Sequence, residues 1–199
     1  MGQAGITSEL RERWRALATQ WGASTADADR AFDDLVARYA EPHRRYHTLE
    51  HITETLALVD GGEVEFAVWF HDVVYDTTTT DSEARSAHYA ATVLGQLGAP
   101  SDVVSEVERL ILLTAGHAVD ASDAAGASLA AADLAILSSD AERYDRYARD
   151  VREEYADVDE ASWRAGRAAV LQTLLERATD ERARSNLGRE LARLALPQA

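Results

Sequence analysis

Apolar positions recur every three or four residues along nearly the whole chain, the spacing of a helix face rather than the alternation of a strand. Leu10, Trp14, Leu17 and Trp21 follow this period in the first segment, and Ala31, Leu35 and Tyr39 in the second. Pro42 interrupts it just before the histidine-rich stretch HRRYHTLEHI, because proline lacks the amide hydrogen that a continuing helix needs. Thr48 can offer its hydroxyl to the free amides of a new helix over 49–60. Asp60-Gly61-Gly62 ends that helix, and EVEFAVWFHDVVY predicts the next over 63–75. Further helices are predicted over 82–97, 101–115, 126–137, 140–155, 160–178 and 181–195, with breaks at Gly98-Ala99-Pro100, at Gly116 and around 120–123. The VVY and ILLT runs have strand propensity, but each lies inside a longer helical period. The expectation is an all-α fold. It is a single domain over 1–199, with a helical-bundle core at about 40–140 and helical extensions over 1–40 and 140–199.

Composition narrows the chemistry. The 199 residues include no cysteine, which excludes disulfides, thiolate zinc sites, iron–sulfur clusters and cysteine nucleophiles. Any metal would have to be held by imidazole and carboxylate, donors suited to Mn, Mg, Fe, Co, Ni or Zn. The opening residues MGQAGITSELRERWRAL have no apolar signal core, and no run is long enough to span a bilayer; the expectation is a cytoplasmic protein with no membrane partner. The net charge is −15 and every basic residue is Arg. Such a surface repels a nucleic-acid backbone, so no nucleic-acid polymer is expected as partner. A small anionic substrate stays compatible where a metal and local arginines reverse the sign inside a pocket.

Six histidines, His43, His47, His51, His71, His88 and His117, carry the candidate chemistry. His71 and Asp72 interrupt an apolar run, Phe66-Ala67-Val68-Trp69-Phe70 before them and Val73-Val74 after. Two polar groups there need each other or a shared ion, and an isolated His-Asp pair is more often a satisfied core pair. This pair is not isolated. His51 lies near the start of the preceding helix, and the short Gly-Gly turn predicts that the two helices pack antiparallel. Asp133 sits in the apolar run LAAADLAIL, where a carboxylate needs a cation or a donor. Two imidazoles and two carboxylates, His51, His71, Asp72 and Asp133, suit a four-ligand metal site with positions left for water. Arg44 and Arg45 each have the planar fork that binds phosphate bidentately; Arg45 is the candidate, while for Arg44 a solvated loop residue without a role is the plainer reading. Trp69, Phe70 and Trp163 read as core.

The ordered set His, His-Asp, distal Asp stands within RRYHTLEHI (44–52), WFHDVVYD (69–76), DSEARSA (81–87), LTAGH (113–117), ADLAIL (132–137), YDRYARDVREEY (144–155) and ARSNLGREL (183–191). Together these segments resemble the HD superfamily of metal-dependent phosphohydrolases, in particular a group of hydrolases of this length. The resemblance implies that His51, His71, Asp72 and Asp133 hold one divalent ion. Of His47 and His51, four residues apart, His51 is the ligand, because the helix that the family places there follows it. His47 then faces the same pocket. Asp72, Glu83 and His117 form the implied catalytic set, and Arg45, His47 and His117 the substrate-binding one. Glu83 would serve as general base or orient a water; an ordinary first-turn Glu at a helix N-terminus explains it as well. His117 would contact the scissile phosphate or leaving group, or join a second ion; a surface histidine in a polar loop is the equal alternative. In the late motif, Tyr144, Tyr147, Val151 and Tyr155 follow helical spacing and read as a packing stripe, with Arg152 or Tyr155 as residues that could reach the pocket. The implied activity is hydrolysis of a small phosphate ester, a nucleotide foremost. A di-iron oxygenase and a non-catalytic ligand-sensing or interaction module on the same fold are the alternatives.

Overall fold

The computed structural model describes residues 3–196, with side chains from residue 7 onward. Its helices are α1 (Gln3–Ala18), α2 (Thr25–Tyr39), α3 (Leu49–Leu56), α4 (Gly62–Phe70), α5 (Ser82–Gln96), α6 (Ser101–Thr114), α7 (Ala124–Asp133), α8 (Ala141–Glu154), α9 (Glu160–Arg177) and α10 (Glu181–Ala195). No strand occurs among the described residues, so the fold is all-α. The chain forms two compact units, Met1–Asp133 and Leu134–Ala199.

The first unit is built on α4. Phe66, Ala67, Val68, Trp69 and Phe70 are all fully buried, and a helix apolar on every side has to be surrounded. It packs against α3, α5, α6 and α7. Trp14 of α1 meets Phe66, Trp69 and Phe70 edge-on, with ring centroids 6.0, 5.5 and 5.7 Å apart, the geometry that aromatic quadrupoles prefer. Its indole nitrogen donates to the Ala28 carbonyl at 2.8 Å, tying α1 to α2. Leu10, Trp14 and Ala18 of α1 and Ala28, Phe32, Leu35 and Tyr39 of α2 thus share one core with α4. Ser24 caps α2 and Thr48 caps α3. Gly61 and Gly62 both hold φ at +65°, in the left-handed region that glycine enters without a side-chain clash, and they turn the chain from α3 into α4.

Three helix ends depart from the sequence expectation. α3 stops at Leu56, and α7 gives way after Asp133 to a 3-10 turn over Leu134–Ser138. α4 stops at Phe70, five residues short of its apolar period. Its cause is visible. The buried Arg44 guanidinium donates to the carbonyls of Asp72 and Val73 at 2.8 and 3.1 Å, and to that of His47 at 3.0 Å. Ser86 of α5 accepts from the Val74 amide at 3.0 Å and donates to the Val74 carbonyl at 3.2 Å. These side chains take up the backbone groups that a longer helix would have used.

In the second unit Tyr144, Tyr147 and Val151 are buried on one face of α8, and Leu171 and Leu187 are fully buried on α9 and α10. An ion pair between Arg167 and Glu190 at 2.8 Å lies among them, and the Tyr144 hydroxyl donates to Glu190 at 2.6 Å. Asn186 donates to the Leu137 and Ser139 carbonyls, both at 2.9 Å, which fixes the 3-10 turn against α10. Tyr144 and Tyr147 of the late motif thus pack, as their spacing predicts, while Tyr155, at the end of α8, is only half-buried. Among the described residues no helix is long and apolar enough to cross a membrane.

Candidate metal centre

Antiparallel packing of α3 and α4 sets the first turn of one beside the last of the other, so His51 and His71 face each other. Their Nε2 atoms are 3.2 Å apart. α7 packs on both helices and ends at Asp133, whose Oδ1 lies 3.1 Å from His51 Nε2 and 3.4 Å from His71 Nε2. Asp72 Oδ2 completes the group, 3.0 Å from His71 Nε2 and 3.6 Å from His51 Nε2. Both imidazoles are buried, while the side chains of Asp72 and Asp133 keep 19% and 13% of their surface, so water reaches the cluster from the carboxylate side. His51, His71 and Asp133 form a buried group that could hold a metal ion.

The donor set fits such an ion. His71 Nδ1 lies 3.0 Å from the Val68 carbonyl; a carbonyl only accepts, so in the neutral ring that nitrogen carries the hydrogen and Nε2 turns its lone pair to the carboxylates. The electrostatics favour positive charge at the same place. Burial disfavours the His71 cation, yet Asp72 and Asp133 outweigh it and hold its pKa well above the ordinary value. Burial also works against the ionised carboxylates. His71 and His47 nevertheless hold Asp72 well below the usual range, and His71, His117 and His51 do the same for Asp133.

His117 joins the cluster from the loop after α6, its Nε2 2.7 Å from Asp133 Oδ2. It has φ of +49°, the one positive value at a non-glycine among the described residues, while its amide donates to the Leu113 carbonyl at 2.8 Å. Such a backbone costs roughly 1–2 kcal/mol and persists where surrounding contacts hold it. His47 is half-buried beside His51, with ring centroids 6.0 Å apart, and stacks on Tyr75 at 4.2 Å. Tyr75 and the buried Tyr46, whose ring centroid lies 4.9 Å from that of His51, are neighbours that the sequence reading missed.

The arginines fall elsewhere. Arg44 is buried and structural, the reverse of the solvated residue expected. Arg45 is exposed, donates to the Pro42 and Arg44 carbonyls, and lines a groove of about 970 Å³ with Glu41, Glu50 and Glu54. Glu83 stands half-buried in the first turn of α5, and the interactions that build the cluster do not include it. Comparison with known protein families, curated proteins and solved structures finds no match to this chain.

Proposed function

We propose that the first unit is a metal-dependent hydrolase of small phosphate esters with the HD-superfamily arrangement of ligands, acting foremost on a nucleotide. The observation that carries this reading is the convergence of two buried imidazole nitrogens and two carboxylate oxygens, from α3, the turn that ends α4 and the end of α7, within 3.6 Å of one another across each His–Asp and His–His pair. His51, His71, Asp72 and Asp133 would hold the ion, which is one of Mn, Mg, Fe, Co, Ni or Zn since no thiolate is present. α4, α6 and α7 all end within a few residues of the cluster, and the partial negative charge at helix C-termini adds to its preference for a cation. A bound divalent ion lowers the pKa of a water and polarises a phosphoryl oxygen. The remaining work belongs to the chain. Asp72 and Asp133 orient whatever enters from the open side. His47, steadied by Tyr75, and His117, steadied by Asp133, would be the imidazoles that donate hydrogen bonds to a phosphoryl group or pass a proton.

The test is release of phosphate by the manganese-loaded chain across a panel of small esters. Asp72→Asn keeps the shape and removes the charge, and turnover should fall at least about a thousandfold. Equal turnover by wild type and variant would refute the reading. The His117–Asp133 contact favours a second arrangement, in which His117 would join Asp133 in holding a second ion, as an iron-pair oxygenase would need. Two irons per chain together with oxygen uptake would select that arrangement.

A further inference from the structure

Between residues 41 and 133, the stretch that supplies every side chain of the cluster, sixteen Asp or Glu stand against four Arg and no Lys. All four arginines are engaged elsewhere. Arg44 is spent on Glu41 and three carbonyls, and Arg45 donates to two loop carbonyls on a groove it shares with three glutamates. Arg85 pairs with Asp76, and Arg109 clamps Glu106 and Asp123. None of these contacts is to a cluster side chain. At the centre, the carboxylates of Asp72 and Asp133 cancel the charge of one divalent ion, leaving imidazoles as the remaining donors. An anionic ligand therefore meets a neutral centre carried by a stretch in which acidic groups far outnumber arginines, and the contacts named for those four arginines lead away from the cluster.

We propose that this centre selects phosphate esters by low net charge: it takes a simple monophosphate, best with a neutral or cationic organic part, and discriminates against substrates that bring a second anionic group, such as di- and triphosphates. The proposal rests on the phosphate-ester reading above and narrows it to one substrate class. Selection here is by repulsion of the wrong ligand as much as by attraction of the right one. Repulsion from a diffuse acidic surface is also screened by salt, so the selectivity should fade as salt is raised.

The test uses the full chain loaded with manganese and measures equilibrium binding by calorimetry, independently of turnover. Phosphoethanolamine, ethyl phosphate and 2-sulfoethyl phosphate share one two-carbon frame and carry about one, two and three negative charges near neutral pH. Affinity should fall at least about threefold with each added charge at low ionic strength, and the differences should shrink in about 0.5 M salt. Tighter or equal binding of 2-sulfoethyl phosphate relative to ethyl phosphate, or a parallel weakening of all three by salt, would overturn the inference and reveal a cationic wall. Failure of all three to bind while manganese binds would overturn the phosphate-ester reading itself, and the inference with it.

Discussion

Arg44 is the residue on which the shape of the centre turns. Its guanidinium holds the carbonyls of His47, Asp72 and Val73 in one grip, so it fixes the loop that carries His47 to the loop that carries Asp72. Replacing it by Met leaves three carbonyls short of a donor, two of them beside the cluster, and should cost about 3 kcal/mol in urea unfolding. Lys should rescue little, because a point charge on a flexible stem cannot reproduce a fork across three acceptors. At His117 the side chain and the backbone make separate contributions. His117→Ala loses the hydrogen bond to Asp133 and keeps the strained φ, whereas His117→Gly loses the bond and relieves the strain. The glycine variant should therefore be about 1 kcal/mol more stable than the alanine one, and equal unfolding midpoints would show that the left-handed backbone carries no strain.

Among the elements, the segment after α4 makes the clearest case. Ser86 of α5 closes on both backbone groups of Val74, and Ser86→Ala should destabilise the chain by about 1–2 kcal/mol while loosening the loop that holds Asp72. That end of α4 was not legible from sequence. Val73, Val74 and Tyr75 continue the apolar period, and nothing local reveals that a serine twelve residues on and an arginine far upstream will capture their backbone. What was legible is what local pattern decides: the helix starts at Thr48 and Ser101, the Gly61-Gly62 turn, and the polar residues too expensive to bury alone. The four-residue cluster follows from the last of these, since a His-Asp pair and an Asp in apolar helices each needed a partner. The burial of Arg44 and the unit boundary at Asp133 depend on long-range contacts, which periodicity does not encode.

For the molecule as a whole, the charges around the cluster set how stability responds to pH when no metal is bound. His71 has its folded pKa raised, so its contribution is complete below about 6.5 and is lost as pH rises through the folded value. Asp72 and Asp133 have theirs depressed, so their contribution is present above about 4 and is lost as pH falls through the folded values. The metal-free chain should thus be most stable between these limits and lose thermal midpoint on the alkaline side. Saturating manganese should abolish the alkaline loss, because the ion takes the place of the proton. A metal-free midpoint that stays flat from about pH 6 to 9 would show that His71 holds no such proton.

Metal stoichiometry tests the centre most directly. The chain, stripped with chelator and titrated with manganese or zinc in a calorimeter, should bind one ion, and saturation at about a hundred times Kd should stabilise it by about 2.7 kcal/mol. His71→Ala and Asp133→Ala should each abolish the binding heat and the stabilisation while remaining folded. Binding of no ion by the wild type, or equal binding by the wild type and both variants, would contradict the account.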